Sequence, residues 1–401
     1  MQQPYTRVIP PRGLSALSCL MLRCKVDPSI RRIVLGSFQF PLGVYPVEEM
    51  TPKQGYVSNF EPSDGGGTEG EFEEWPDRYV YDIVVSAERL PSLCRMLFSM
   101  FEGRAYPILD VLGQDGYREV DPYISYDLVG VDVFLDGLRE YGEWLYEDGM
   151  VGFGLMSEEP FCYVFVDEHK IITLRVDPTL KERVEKILAA FDLEAMETNA
   201  GADAAAHEHR NVLLAPEDKP ELLGPDEVLE RLKMKWRVVL NVDPDTNLDD
   251  EGKELGITHW RAVVRIDLPE DDDDSAETRR VATGSPASGA NAAGAAGGGG
   301  LGAGLGKVRY VEVVFDAANL REAEETTFTQ VENLADEDRI EFEDGMIVLL
   351  DRLQPEQFTQ VLARAGVKSK AKPKPKGKAK PRASEAEAEE STAVVHLVRW
   401  L

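Results

Sequence analysis

The sequence predicts an α+β fold made of two domains, each a mostly antiparallel sheet with packed helices, which disordered low-complexity segments join and interrupt. Apolar residues make up 43% of the 401 residues, so at least one sizeable core can form. The first half of the chain reads in the order β-α-β-α-β-β-β-α, which indicates a mostly antiparallel sheet with helices packed on it. The low-complexity tracts carry too little apolar surface to offset the entropy of ordering them.

Shifts in composition define the predicted boundaries. Residues 1–74 form an N-terminal segment that is largely irregular, with a possible strand near 31–46. Within this segment, residues 47–74 read as a loop or linker because prolines, glycines and acidic residues accumulate there. The remaining predicted segments are a first domain at 75–199, a linker at 200–215, and a second domain at 216–401 with disordered insertions at 270–306 and 368–392.

Hydrophobic spacing predicts the elements of the first domain. A turn at 167–170 between two apolar runs indicates a hairpin, and Asp177 followed by Pro178 is typical of a helix start. In order, the predicted elements are a strand at 79–86, a helix from Leu90 to Phe101, a strand at Tyr106–Leu112, a helix capped by Asp132, a strand at Met150–Met156, the hairpin Phe161–Val166 with Ile171–Val176, and a helix after Asp177.

The second domain is predicted from the same patterns and from its C-terminal end. The segment Ala393–Leu401 is too apolar to lie in solvent, so we expect it to return to the sheet as a strand. The 270–306 insertion is then a loop between two paired strands, which costs closure entropy only logarithmically. The other predicted elements are a helix from Pro225 to near Lys235, strands at Trp236–Val242, His259–Leu268, Val308–Phe315 and Met346–Leu350, and a helix from Pro355 that Gly366 ends.

Charge and composition exclude several classes of protein. A formal net charge of −29 repels phosphate backbones and disfavours a generic nucleic-acid binder. No run of 18 apolar residues occurs, so no membrane helix is expected, and four cysteines in this length exclude a disulfide scaffold. Cysteine usage fits a reducing compartment, so we expect a cytoplasmic protein.

One basic tract runs against this acidic balance. Residues 368–382 carry eight positive charges spaced by prolines and alanines, so contact with nucleic-acid phosphates is conceivable. Four glutamates at 385–390 follow in the same insertion and would compete with phosphates for these charges. The favoured interpretation of the tract is therefore a solvated spacer.

The segment between Arg104 and Asp132 is the densest in functional side chains. It follows a predicted strand and precedes a helix, where a loop can present groups to a ligand. Two carboxylates in a pocket could divide into acid and base if burial raised one pKa, although surface ion pairs and tyrosine packing would also explain the set. The catalytic candidates are Asp110, Asp121 and Tyr123, and the ligand-binding candidates are Asp115, Arg118, Tyr126 and Asp127.

One acidic segment has the oxygen spacing of a calcium loop. Its five candidate ligands are Asp243, Asp245, Asn247, Glu251 and Glu254. Leu248 stands where such a loop needs a glycine for its sharp bend, and a predicted strand rather than a helix precedes it. An acidic hairpin loop is the better interpretation, and no metal or other cofactor is expected.

The five histidines are predicted to lie in unrelated places. We expect His169 to be solvated in a hairpin turn. His207 and His209 fall in the 200–215 linker and would bind a metal only loosely. His259 is predicted on an outer strand face, and His396 alternates with apolar residues as a hydrogen-bonded core side chain.

Three functions stay open at this point. The leading hypothesis is a soluble intracellular protein that binds an unknown ligand or protein partner without catalysis, because no catalytic constellation accompanies its cores. The second is a hydrolase or transferase that uses the carboxylates and tyrosines of the 104–132 loop. The third is a nucleic-acid accessory protein that contacts phosphates through the 368–382 tract.

Overall fold

The computed structural model describes residues 24–63, 75–114, 116–214, 222–268, 308–342, 344–367 and 393–401. The predicted insertions 270–306 and 368–392, the basic tract 368–382 and the candidate Asp115 lie outside these ranges. Within them, each helix is too short or too polar to cross a membrane.

Seventeen strands, six α-helices and two short 3₁₀ helices make up the described fold. The strands are β1 Val34–Leu35, β2 Phe38–Gln39, β3 Val44–Pro46, β4 Gly55–Glu61, β5 Arg78–Val84, β6 Arg104–Leu112, β7 Val120–Ile124, β8 Val129–Gly130, β9 Val151–Glu158, β10 Phe161–Val166, β11 Ile172–Val176, β12 His207–His209, β13 Val239–Leu240, β14 Thr258–Asp267, β15 Val308–Ala317, β16 Asp344–Leu353 and β17 Val395–Trp400. The helices are α1 Leu90–Phe98, α2 Val131–Leu145, α3 Lys181–Ala190, α4 Pro225–Trp236, α5 Leu320–Asp338 and α6 Pro355–Arg364.

The larger sheet has nine strands and is antiparallel throughout. Its order is β13-β7-β6-β9-β10-β11-β5-β4, and β8 pairs with β6. The predicted hairpin is confirmed, since β10 and β11 pair from Cys162 opposite Val176 to Val166 opposite Ile172. Together with the packed helices, this sheet confirms the α+β class.

Helices α1, α2 and α3, which hydrophobic spacing predicts, are confirmed, and each of them buries apolar residues. The carboxylate of Asp177 accepts a hydrogen bond from the Thr179 amide, which confirms the predicted cap of the turn that leads into α3. The predicted Asp132 cap of α2 is wrong. The capping position belongs to Gly130, so Asp132 lies inside the first turn, where its negative charge faces the positive end of the helix dipole.

The smaller sheet has four strands in the order β16-β14-β15-β17. The prediction that the C-terminal residues return to the sheet is confirmed, because β17 pairs antiparallel with β15. Strands β14 and β15 also pair directly, as expected for segments that flank an insertion. Helix α5 was not predicted, since its buried face is built largely from Ala and Thr residues rather than from large apolar ones.

The N-terminal segment is more ordered than the sequence indicates. Three short strands, β1 to β3, lie where one strand was expected near 31–46. The prediction of a loop at 47–74 is wrong for Gly55–Glu61, because β4 pairs along its whole length with β5. This strand forms the sheet edge, and half-exposed residues on both of its faces hide the two-residue period.

Residues on either side of the predicted linker contact one another. Strand β13 pairs with β7 of the larger sheet. The Trp236 ring of α4 lies 4.8 Å from the Phe134 ring of α2, measured between centroids. A Cβ on Gly137 would stand 2.5 Å from Trp236 Nε1, so this helix pair requires glycine. The division into two domains stays a prediction.

Candidate metal centre

Three histidines meet at one point beside the larger sheet. His169 lies in the turn between β10 and β11, and His207 and His209 lie on β12. Their ligand nitrogens lie close together: His169 Nε2 is 2.9 Å from His207 Nε2, which is 3.1 Å from His209 Nε2. All three side chains are half-buried. The three Nε2 atoms therefore converge on one point.

The other nitrogen of each ring has its own acceptor. His207 Nδ1 lies 2.7 Å from the Ala205 carbonyl, and His209 Nδ1 lies 2.7 Å from the Gly149 carbonyl. His169 Nδ1 lies 3.4 Å from an Asp167 carboxylate oxygen and 3.3 Å from one of Glu168. A neutral imidazole that donates from Nδ1 carries a lone pair on Nε2. Three such lone pairs facing one another repel unless a cation or proton lies between them.

The spacing of β12 explains why two of the ligands lie together. Successive strand residues point to opposite faces, so the His-Glu-His sequence puts His207 and His209 on one face and Glu208 on the other. Strand β12 is fixed by antiparallel pairing with β3, where His209 lies opposite Val44. The Val47 amide also donates to the Ala206 carbonyl at 2.9 Å, just before the strand.

A buried carboxylate holds the segment after β12. Asp148 is fully buried and accepts hydrogen bonds from the amides of Met150 and Val212, each at 2.8 Å. Burial raises the pKa of Asp148, although these two amide hydrogen bonds act to lower it. The contact joins the chain after β12 to the turn before β9, and this turn also carries the Gly149 carbonyl that orients His209.

Two glycines allow this close backbone approach. The Arg210 amide donates to the Gly43 carbonyl at 2.7 Å, and the Gly149 amide donates to the Arg210 carbonyl at 3.1 Å. A Cβ on Gly43 would lie 2.1 Å from the Gly149 nitrogen, and a Cβ on Gly149 would lie 2.1 Å from the Gly43 oxygen. Any side chain at either position would push the strand carrying His207 and His209 away from His169.

Acidic residues surround the histidines. Burial lowers the pKa of His169, but the hydrogen bond and charge of Asp167, with the charges of Glu168 and Asp203, outweigh it, and the net shift is upward. Burial lowers the pKa of His209, which favours the neutral form that can bind a metal. The carboxylates of Asp167, Glu168 and Asp203 thus place negative charge beside the cluster, which attracts cations.

No family model, no curated protein and no solved structure matches this chain.

The predictions for these three histidines were wrong in two respects. His169 was expected in solvent, yet only 15% of its side chain is exposed. His207 and His209 were expected in an unstructured linker, yet they form β12. The His-x-His spacing was the available signal, since it matches the period of a strand. No local pattern could pair these residues with His169, which is 38 positions away from His207.

The predicted catalytic residues do not share a site. Tyr123 lies opposite Leu109 and Asp121 opposite Val111, so both face the core with these buried partners. Asp110 lies between Leu109 and Val111 on β6 and therefore faces the other side of the sheet. Burial raises the pKa of Asp110 to about 7, and the nearby charges of Glu168 and Asp167 add to this shift.

The described ligand-binding candidates Arg118, Tyr126 and Asp127 lie in the same region. An Arg118 guanidinium nitrogen lies 3.4 Å from the Leu248 carbonyl. The Tyr126 hydroxyl lies 2.8 Å from Asn241 Oδ1, with most of the ring exposed. Asp127 is exposed. The 104–132 segment was expected as a loop, but β7 and β8 run through it, so its polar residues divide between two faces.

The calcium candidates also have other partners. The Asp245 carboxylate binds the Arg321 guanidinium at 2.6 and 3.1 Å. The Asn247 side chain donates to the Gly256 carbonyl and accepts from Arg352 at 2.8 Å. In the described part of the chain, the groups of side chains close enough to share a metal do not include Asp243, Asp245, Asn247, Glu251 or Glu254.

Proposed function

We propose that this protein binds a divalent transition metal, of the Zn²⁺ class, through the Nε2 atoms of His169, His207 and His209. One observation carries the proposal: three imidazoles converge through Nε2 while every Nδ1 faces an oxygen acceptor. Metal-binding histidines are oriented by this kind of second hydrogen bond. A tetrahedral zinc with bonds of about 2.0–2.1 Å holds its nitrogens about 3.4 Å apart. The rings need to separate by only a few tenths of an ångström.

The three-histidine set favours a metal with a coordination position left open. Among the described residues, no carboxylate or thiol joins all three nitrogens at ligand distance. Three protein ligands plus one exchangeable position is the pattern of catalytic rather than structural zinc. Three neutral imidazoles would leave the positive charge of a bound ion uncompensated, and such an ion would lower the pKa of a bound water to about 7. The proposed centre is thus a Lewis acid that takes water or a small anion.

A purely structural metal is the competing role, in which the ion ties β12 to the turn between β10 and β11. The two roles differ at the fourth position. Cobalt(II) can replace zinc and reports its coordination through its visible absorption. We expect added azide to change the spectrum of the cobalt protein, because it replaces water at the open position. An unchanged spectrum would indicate a closed, structural site.

The binding test uses the full chain after chelator treatment. We expect Zn²⁺ titration by calorimetry to show binding that His169→Ala, His207→Ala and His209→Ala each weaken at least about 100-fold. Glu208→Ala is the matched control, because this exposed residue lies between two ligands on the opposite face of β12. Affinity that survives every histidine substitution, or no binding by the wild-type chain, would contradict the proposal.

A backbone substitution tests the support of the site. Gly43→Ala is expected to weaken zinc binding by about 10- to 100-fold, since its Cβ would collide with the Gly149 nitrogen and displace β12. Gly142→Ala is the control, because its Cβ would meet Tyr146 at an ordinary 3.4 Å within α2. Titration of both variants provides the measurement. Equal zinc affinities of Gly43→Ala and Gly142→Ala would mean that the position of β12 does not depend on the Gly43–Gly149 contact.

A further inference from the structure

The smaller sheet brings together the two remaining histidines and a buried carboxylate. We propose that His259, Asp316 and His396 form a second metal site, independent of the first. Two imidazoles and one carboxylate make a mixed nitrogen and oxygen set that suits divalent ions such as Fe²⁺, Mn²⁺, Co²⁺ and Zn²⁺. All three ligand atoms lie within 4.8 Å of one another.

The contacts within the cluster are not explained by hydrogen bonding alone. His259 Nδ1 lies 2.6 Å from Asp316 Oδ1 in an aligned hydrogen bond. His396 Nε2 lies 2.9 Å from the same oxygen, but it is buried without an aligned hydrogen-bond partner among the described residues. A buried nitrogen without an aligned partner calls for a bound water or ion. Both imidazoles therefore converge on the same Asp316 oxygen.

Strand register assembles the three ligands. His259 on β14 lies directly opposite Asp316 on β15. On the other side of β15, the pairing with β17 shifts, so that Leu397 faces Val314 while Val395 faces Phe315. His396 is the extra residue in this bulge, and the bulge turns its side chain toward Asp316. Bulges of this kind re-aim side chains and are frequent beside functional sites.

An aromatic side chain fixes both rings without occupying their nitrogens. Phe358 of α6 stacks on His259 with centroids 3.8 Å apart and meets His396 edge-on at 4.9 Å. The exposed fractions of the side chains are 31% for His259, 12% for Asp316 and 23% for His396, so an ion can enter from solvent. The site is preorganised by packing and remains accessible.

The distribution of histidines along the chain supports two metal sites. The chain contains five histidines, and all of them lie in these two clusters. The alternative for the second cluster is a metal-free His-Asp-His ion pair. That alternative accounts for the aligned contact of His259 and for the 2.9 Å ion-pair contact of His396, but it leaves His396 Nε2 without an aligned hydrogen bond.

The experiment counts Co²⁺ equivalents bound by the chelator-treated full chain, using equilibrium dialysis and visible absorption. We expect two equivalents in the wild-type protein. His396→Ala and Asp316→Asn should each remove one, while His207→Ala removes the other. Asp267→Ala is the control, because its exposed carboxylate lies on the same strand as His259. If Asp316→Asn does not fold, His396→Gln tests the same site from the edge strand.

The outcomes separate the two proposals. If His207→Ala abolishes all cobalt binding, the second site is overturned while the first stands. A wild-type chain that binds a single equivalent gives a different outcome. If His207→Ala keeps that equivalent and His396→Ala loses it, the first proposal fails and the second stands. Two equivalents in His396→Ala would also overturn the second site.

Discussion

Replacing Asp351 with Ala is expected to lower the free energy of unfolding by about 3–5 kcal/mol, because the change leaves a buried charge without its partner. Lys233 Nζ lies 3.0 and 3.1 Å from the two Asp351 carboxylate oxygens. The exposed fractions of the two residues are 1% and 8%. An ammonium group at this depth cannot recover its hydration when the carboxylate is removed.

The other groups around Lys233 compensate only in part for the loss of the Asp351 carboxylate. Its Nζ lies 3.7 Å from the centre of the Tyr123 ring, a cation–π contact worth roughly 0.5–2 kcal/mol. The Lys233–Asp351 pair links α4 to β16, and the contact with Tyr123 links both to β7 of the larger sheet. Loss of the Lys233–Asp351 pair therefore weakens the region where the two sheets come together.

Denaturant unfolding followed by circular dichroism measures this effect. The control is Asp136→Ala on α2, which removes an exposed ion pair with Arg139 and should change stability by less than about 1 kcal/mol. The double variant Lys233→Met with Asp351→Leu should recover most of the loss, since it replaces both charges by apolar groups of similar volume. A loss below about 1 kcal/mol in Asp351→Ala would mean that this pair is hydrated in solution.

The sequence predicts secondary structure best where the local residue pattern agrees with the position of the segment in the fold. Strand β10 is apolar throughout, β11 alternates apolar and polar residues after a polar turn, and β17 is too apolar for solvent. Strand β7 escaped prediction because Asp121 and Pro122 interrupt its pattern, and its assignment depends on pairing with β6. Helix α5 escaped because small side chains pack its buried face, so hydrophobic spacing carries little signal.

The candidate sites could be predicted only in fragments. The His-x-His spacing at 207–209 is visible locally, but its third member comes from a distant turn. In the second cluster, His259 and Asp316 meet through strand register across an insertion, and His396 joins them through a bulge. The hydrophobic pattern selects which face of a strand is buried, but no tight turn fixes the register of strands that are separated by an insertion. The histidines therefore looked unrelated in sequence.

Glu312→Ala is the second large expected effect, again about 3–5 kcal/mol of unfolding free energy. Glu312 on β15 is 2% exposed and accepts hydrogen bonds on both sides of the strand. One oxygen lies 2.7 Å from Arg261 Nε on β14, and the other lies 2.7 Å from Arg399 Nε on β17. Removing this carboxylate takes a partner from both arginines and leaves Arg261 with Glu230, whose oxygen lies 3.1 Å from Arg261 Nη2.

The two arginines differ in burial, so we expect their substitutions to lower the free energy of unfolding by different amounts. Arg261 has 17% of its side chain exposed, while Arg399 has 35% and can turn toward solvent. Arg399→Ala should therefore cost less than Glu312→Ala, and Arg261→Ala should fall between them. Asp267→Ala, which removes an exposed ion pair with Arg265 on the same sheet, should cost less than about 1 kcal/mol. Chemical denaturation of the four variants measures the series.

The same carboxylate also bears on the proposed second metal site. Glu312 and Asp316 are four residues apart on one strand, so both face the same side of the sheet. The Arg399 contact fixes β17 near the bulge that carries His396. Glu312→Ala should therefore weaken Co²⁺ binding at the second site and leave the first unchanged. A loss of stability without any change in Co²⁺ binding at the second site would show that the bulge determines the position of His396, and that the ion pairs of Glu312 with Arg261 and Arg399 do not.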